Sequence, residues 1–175
     1  MPAHYVNKII DTLVYNETMI LYVSATQGEA AQVPSDYPLI VTGIGIIRAT
    51  LALTEYLAHA DELPERIINF GTAGSLNGNT GIFEIDHVFQ HDFDHKVIEQ
   101  IIGKPFPNGI DLPTVSMLPA ARLATGDSFV NDPDTRARLA QQAQLCDMEG
   151  YAIAFVAQHF GIPCTLIKQM NDNAD

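Results

Sequence analysis

Cationic side chains are scarce in this chain. Nine Lys and Arg stand against 21 Asp and Glu, a formal charge of −12, and no Lys/Arg cluster stands out along the sequence. Proteins that hold polyanions do so with clustered cations, so this balance argues against nucleic acid and anionic membrane as main partners. Cysteine is almost missing: Cys146 and Cys164 fall in neither metal-binding nor redox spacing. Free thiols in a reducing cytoplasm are the plain reading. Long apolar runs are missing as well, none approaching the roughly 20 residues that a membrane-spanning helix needs. The start of the chain has no basic cluster and no uninterrupted apolar core. Val6, Ile9, Ile10, Leu13 and Val14 recur there at helical spacing, which predicts a short amphipathic helix and not a signal peptide. Internal repeats, low-complexity tracts and long linkers are absent too, so the 175 residues are expected to form one domain over 1–175.

What is present is alternation. Short β-branched apolar runs at 19–25, 39–43, 66–70, 82–90, 122–126 and 164–170 are interleaved with helical patterns. One helix is expected from Ile46 to His59, one after Asp132-Pro133-Asp134, and one within 146–161 that Gly161 and Pro163 end, with a Pro/Gly-containing loop over 103–119. This is the signature of an α/β fold with many parallel strands. In open α/β sheets ligands bind beyond the carboxyl ends of the strands. The segments that follow the strands carry three carboxylates (Glu29, Glu149, Asp172), a glycine-flanked hydroxyl (Thr72) and the pair Phe129 and Val130. If the strands are parallel, these segments share one edge. The mixture suits a small neutral ligand with a flat apolar part and several hydroxyls, where carboxylates can bind sugar hydroxyls and exchange protons.

Each residue also has a plainer reading. Glu149 could be a first-turn acid favoured by the helix macrodipole. Asp172 could be a turn residue, Gly71 and Gly74 could serve tight turns, and Phe129 could be core. Two other site types carry less weight. In "GIGIIRA" (43–49) Arg48 stands where the third glycine of a dinucleotide fingerprint belongs. His87, His91 and His95 share one parity and would line one face of a strand as a metal site, but strand period is not expected to persist through that segment.

Six stretches carry a family resemblance: "ATQGEAA" (25–31), "TGIGIIRATLAL" (42–53), "IINFGTAGSL" (67–76), "GDSFVND" (126–132), "CDMEGYAIA" (146–154) and "KQMNDNAD" (168–175). On these the chain resembles the nucleoside phosphorylase superfamily, and within it the 5′-methylthioadenosine/S-adenosylhomocysteine nucleosidases. The resemblance implies a three-layer α/β/α domain with a mixed, largely parallel central sheet, here stopping before the usual C-terminal helix. It implies a homodimer that acts on a purine nucleoside with no metal and no organic cofactor, in adenine release and methionine salvage. Carried over by position, Glu29 matches the water-activating glutamate and Asp172 the acid that protonates the leaving purine. Met148 and Glu149 match the ribose-contacting pair, and Phe129 and Val130 the purine pocket. Thr72 stands where nucleosidases usually have Ser near the nucleophile, and with Ala73 and Gly74 it is expected to bind the substrate. Asn171 likewise replaces a usual Ser, and Tyr151 a usually small residue.

Cleaving a ribose–purine bond builds positive charge on the sugar and negative charge on the base, so the reaction needs an acid near the base and a general base near the anomeric carbon. Lys and Arg are absent from 25–31, 70–76 and 126–132, which favours water over phosphate as the nucleophile. A phosphate-dependent phosphorylase and a non-catalytic nucleoside-binding protein are the alternatives. Asp147 is expected to be structural.

Overall fold

The computed structural model describes residues 19–31, 33, 35–78 and 80–171, the last by its backbone alone. The expected N-terminal helix and Asp172 lie outside these residues. The described residues form eight strands: β1 (Ile20–Ser24), β2 (Leu39–Val41), β3 (Arg66–Ser75), β4 (Gly81–Gln90), β5 (Ile110–Asp111), β6 (Ala120–Thr125), β7 (Leu145–Asp147) and β8 (Cys164–Asn171). The helices are α1 (Gln27–Ala30), α2 (Ile46–His59), α3 (His95–Ile102), α4 (Pro133–Leu139) and α5 (Gly150–Phe160).

The central strands bury both faces, and their alternating side chains feed two cores. Leu21, Val23, Ile67 and Leu166 point into the larger core, where α2 contributes Ala49, Leu53 and Leu57 and α5 contributes Ile153 and Val156. Ile20, Tyr22, Ile68, Phe70 and Ile167 point the other way and meet Val33, Tyr37 and Leu118. The α2 residues are spaced by four, one stripe of an amphipathic helix, and full burial of a leucine side chain contributes ~1.5–3 kcal/mol. Local signals set several ends. Asp132 caps α4 by accepting from Thr135 N at 2.8 Å, with Pro133 in the first turn. Gly161, at φ 71°, closes α5 in the left-handed conformation.

The sheet is mixed and largely parallel, as expected of the fold class. β1 pairs in parallel with β2 and β3, β3 with β8, and β6 with both β4 and β7. β7 is antiparallel to β3, and β4 is antiparallel to β5 and β8. The pairings therefore close β3, β8, β4, β6 and β7 into a ring, and β6 and β7 run opposite to β1, β3 and β8. This corrects the expectation of one common carboxyl edge: β7 runs back along the last residues of β3, with Leu145 opposite Ser75 and Cys146 opposite Gly74.

Two further corrections follow from the same geometry. "GTAGS" is not a loop after a strand, because β3 continues through it in register with β8. Residues 145–147 belong to a strand, and α5 begins only at Gly150.

Candidate active site

Glu29 is held by the turn that follows β1. Thr26 caps α1 in a reciprocal capping box: Glu29 N donates to Thr26 Oγ1 at 3.3 Å and Thr26 N donates to Glu29 Oε2 at 3.1 Å. Oε2 also accepts from Ala25 N and from the Thr26 hydroxyl, each at 3.2 Å. Oε1 accepts from Thr72 N at 2.7 Å and from Thr72 Oγ1 at 2.9 Å. These donors lock the carboxylate in one orientation at the wall of a cavity of about 300 Å³ shared with Thr72, Phe70 and Gln169.

Beside it lies a cation that sequence reasoning gave no role. Lys168, on β8, pairs in register with Gly71, and a Cβ added to Gly71 would stand 3.0 Å from Lys168 Nζ and 3.4 Å from Glu29 Oε1. Glycine is what lets ammonium and carboxylate approach the strand this closely. Lys168 Nζ pairs with Asp147 Oδ2 at 2.8 Å, the two side chains only 2% and 1% exposed. Asp147 also accepts from Thr125 Oγ1 at 2.6 Å and from Gly150 N at 2.8 Å. Burial alone would push the Lys168 ammonium down, but Asp147 first, then Glu149 and Glu29, hold it above the ordinary lysine value. The signal available in the sequence was a lone charged residue inside an otherwise uncharged strand.

Glu149 is 8% exposed and stands just before α5, yet its side chain makes no cap there. Its Oε1 accepts instead from Gly45 N, at 2.8 Å, at the head of α2. The macrodipole reading is thus met on a different helix from the one the sequence suggested. Gly45 has φ 101°, a conformation that favours glycine. The neighbouring donor, Ile46 N, is taken by Asp127 Oδ1 at 2.8 Å. Burial raises the Glu149 carboxyl, Lys168 opposes, and Asp147 and Glu29 add to the rise. Glu29, Asp147 and Glu149 thus surround one ammonium, and the cleft keeps an excess of negative charge.

Phe129, Val130, Met148, Gly74 and Cys146 line a smaller cavity of about 50 Å³, with Phe129 65% exposed at its mouth and Val130 buried. Burial raises the Cys146 thiol to about 11, so it stays protonated at neutral pH. Ala73 is not in either cavity. Strand alternation turns Thr72 outward and Ala73 into the larger core, where it is 7% exposed. The three histidines do not share a face: His87 sits on β4 and bonds Asp111 at 2.6 Å, His91 lies in the following turn, and His95 opens α3. Among the described residues no group of three or more His, Cys, Asp or Glu could hold a metal ion. A cavity of about 400 Å³ beside His91, Phe93 and Arg138 contains none of the expected site residues.

A mixed α/β sheet whose strands converge on a cleft of carboxylates defines an enzyme-type site for a small polar ligand. The chain belongs to the phosphorylase superfamily, whose family model matches residues 35–175. It is 31% identical over 159 residues to the 5′-methylthioadenosine/S-adenosylhomocysteine nucleosidase of Shewanella halifaxensis (strain HAW-EB4), covering 78% of this chain and 69% of that one. The nucleosidase of Shewanella loihica (strain ATCC BAA-1088 / PV-4) is 30% identical over 195 residues, covering 99% and 82%. Among solved structures, the Helicobacter pylori 5′-methylthioadenosine/S-adenosyl homocysteine nucleosidase superposes with a TM-score of 0.74 at 22% identity, over 90% of this chain and 86% of that one. The native futalosine hydrolase of H. pylori strain 26695 gives the same TM-score, identity and coverage. These structural likenesses speak to the fold.

Proposed function

We propose that the chain hydrolyses the N-glycosidic bond of a purine nucleoside resembling 5′-methylthioadenosine or S-adenosylhomocysteine. The carrying observation is the Glu29 carboxylate, fixed by Thr26 and Thr72 at a cavity wall within the same charged cluster as Glu149. In this reading a water on Glu29 attacks the anomeric carbon and passes its proton to Glu29 as the C–N bond breaks. The bonding pair leaves with the purine, and Asp172, which by position matches the family's leaving-group acid, gives a proton to the base. Glu149 accepts from the ribose hydroxyls, and the negative cleft favours the oxocarbenium-like transition state. Phe129 and Val130 hold the base, Met148 contacts the ribose beside Glu149, and Thr72 stands beside the nucleophile.

Water is favoured over phosphate by the head of α2. A helix N-terminus is a natural anion site, but here its first two free amides are occupied by the carboxylates of Glu149 and Asp127. Arg48 lies folded along Gly43. Incubation with a panel of purine nucleosides should release free base and the ribose derivative at the same rate with and without phosphate. Base release that requires phosphate and yields ribose-1-phosphate would overturn hydrolysis, and saturable binding without turnover would overturn catalysis.

The same reading includes a homodimer in the cytoplasm. Its support is a pair of exposed apolar stripes on packed helices: Ile47 (74% exposed) and Leu51 (65%) on α2, and Phe155 (52%) stacked with Tyr151 on α5. Exposed apolar area of this kind marks interaction surfaces. Light scattering should give twice the chain mass for the parent, and Leu51→Asp should shift the protein to monomer. A monomeric parent sinks the idea.

A further inference from the structure

Loop amides around the cleft are taken by carboxylates from distant segments, and together they form a connected path. Asp92, in the turn after β4, accepts through Oδ2 from Asp127 N at 2.7 Å and from Ser128 N at 3.1 Å, while its Oδ1 accepts from Gln90 Nε2 at 3.1 Å. Burial works against the charge, but these donors and His91 hold the Asp92 carboxyl below the ordinary range. Asp127 in turn accepts from Ile46 N, and Glu149 from Gly45 N, the adjacent amide. The fit is close at both joints. A Cβ on Gly126 would collide with His91 and Asp92, and one on Gly45 would stand 2.9 Å from Asp127 Oδ1.

We infer that Asp127 is a positioning residue that sets the loop bearing Phe129 and Val130 and the carboxylate Glu149 in one geometry, through the first amides of α2. The inference rests on the proposed function, in which that loop holds the base and Glu149 the ribose. Asp127 touches neither. It joins them because the loop backbone is fixed by Asp92 at one end and the α2 head is fixed by Asp127 at the other. α2 is 14 residues long, so the positive end of its macrodipole favours a carboxylate at this place. Displacing a ribose-binding group by about 1 Å is enough to cost up to ~10²-fold in rate.

Asp127→Ala should therefore lower kcat on the order of 10-fold or more and raise KM, with Tm little changed because the side chain is exposed. Asp127→Asn keeps an oxygen that can accept from Ile46 N and should restore most of the loss. In a Glu149→Gln background Asp127→Ala should cost less than in the parent, the signature of two residues acting through one element. Parent-like kcat and KM for Asp127→Ala, an Asn variant as damaged as Ala, or fully additive losses would overturn the inference. Should the parent release no base from any nucleoside, the proposed function fails and amide hydrogen exchange decides the positioning role by itself. Faster exchange at both Gly45 and Ile46 in Asp127→Ala supports it, and unchanged exchange at Gly45 overturns it.

Discussion

Glu29→Gln is expected to lower kcat by roughly 10²–10⁴-fold, the range that a positioned general base contributes. The magnitude follows from what the amide cannot do. Both oxygens of Glu29 face donors: Ala25 N, Thr26 N and the Thr26 hydroxyl on one side, Thr72 N and its hydroxyl on the other. A glutamine must turn its NH2 group toward one of these sets. The Thr72 side is the less costly, because the hydroxyl can rotate to accept, but Thr72 N–H then faces another donor. One unsatisfied donor costs ~1–3 kcal/mol, so a lower Tm should accompany the lost turnover. Nucleoside affinity should change little, since Glu29 serves the water and Glu149 the ribose. Steady-state rates of base release, with Kd measured by calorimetry, separate the two effects. Turnover within a few-fold of the parent would remove Glu29 from its assigned role.

How far the sequence discloses this molecule depends on whether a feature is local. β1 is legible because all five of its residues are apolar or small and buried, and α2 because its stripe repeats every four residues between clear ends. α4 announces itself through Asp132 and Pro133. β7 is three residues long and exists because β3 and β6 pair with it from either side. Strand direction has no local code, which is why β6 is expected from the sequence to run with β1 and instead runs against it. Gly71 misleads for a different reason. Its glycine reads as a turn, whereas it serves an extended strand that must leave room for Lys168 and Glu29. The sequence motifs therefore brought out residues at the cavity walls, Glu29, Thr72 and Phe129 among them, and gave no role to Lys168, Asp92 and Asp127, whose ion pair and hydrogen bonds tie neighbouring segments together.

Lys168→Met should be the most destabilising single change in the cleft. It removes the partner of a buried carboxylate while leaving that carboxylate in place, and such losses run to about 3–5 kcal/mol. Domains of this size are stable by only ~5–15 kcal/mol in total. Asp147 would keep its bonds from Thr125 and Gly150 N but lose its only ion-pair partner among the described residues, beside a Glu149 whose carboxyl is already raised by burial. The pH dependence distinguishes this cause from a simple packing defect. The folded-state value of Lys168 is raised, so its contribution is fully present below the unfolded value of about 10.4 and is lost as pH rises through the folded value. In the parent this adds an alkaline limb to the stability curve, and the variant should lack it. In Lys168→Met, Glu149, whose carboxyl burial already raises, loses the cation that opposes the rise, so stability should recover as pH falls and it takes up a proton. Denaturant melts across pH should therefore show a deficit that is largest near neutrality and narrows in mild acid. Neutralising the orphan with Asp147→Asn in the same chain should return part of the loss at pH 7. A deficit independent of pH, and unrelieved by Asp147→Asn, would mean that Lys168 contributes volume and not charge.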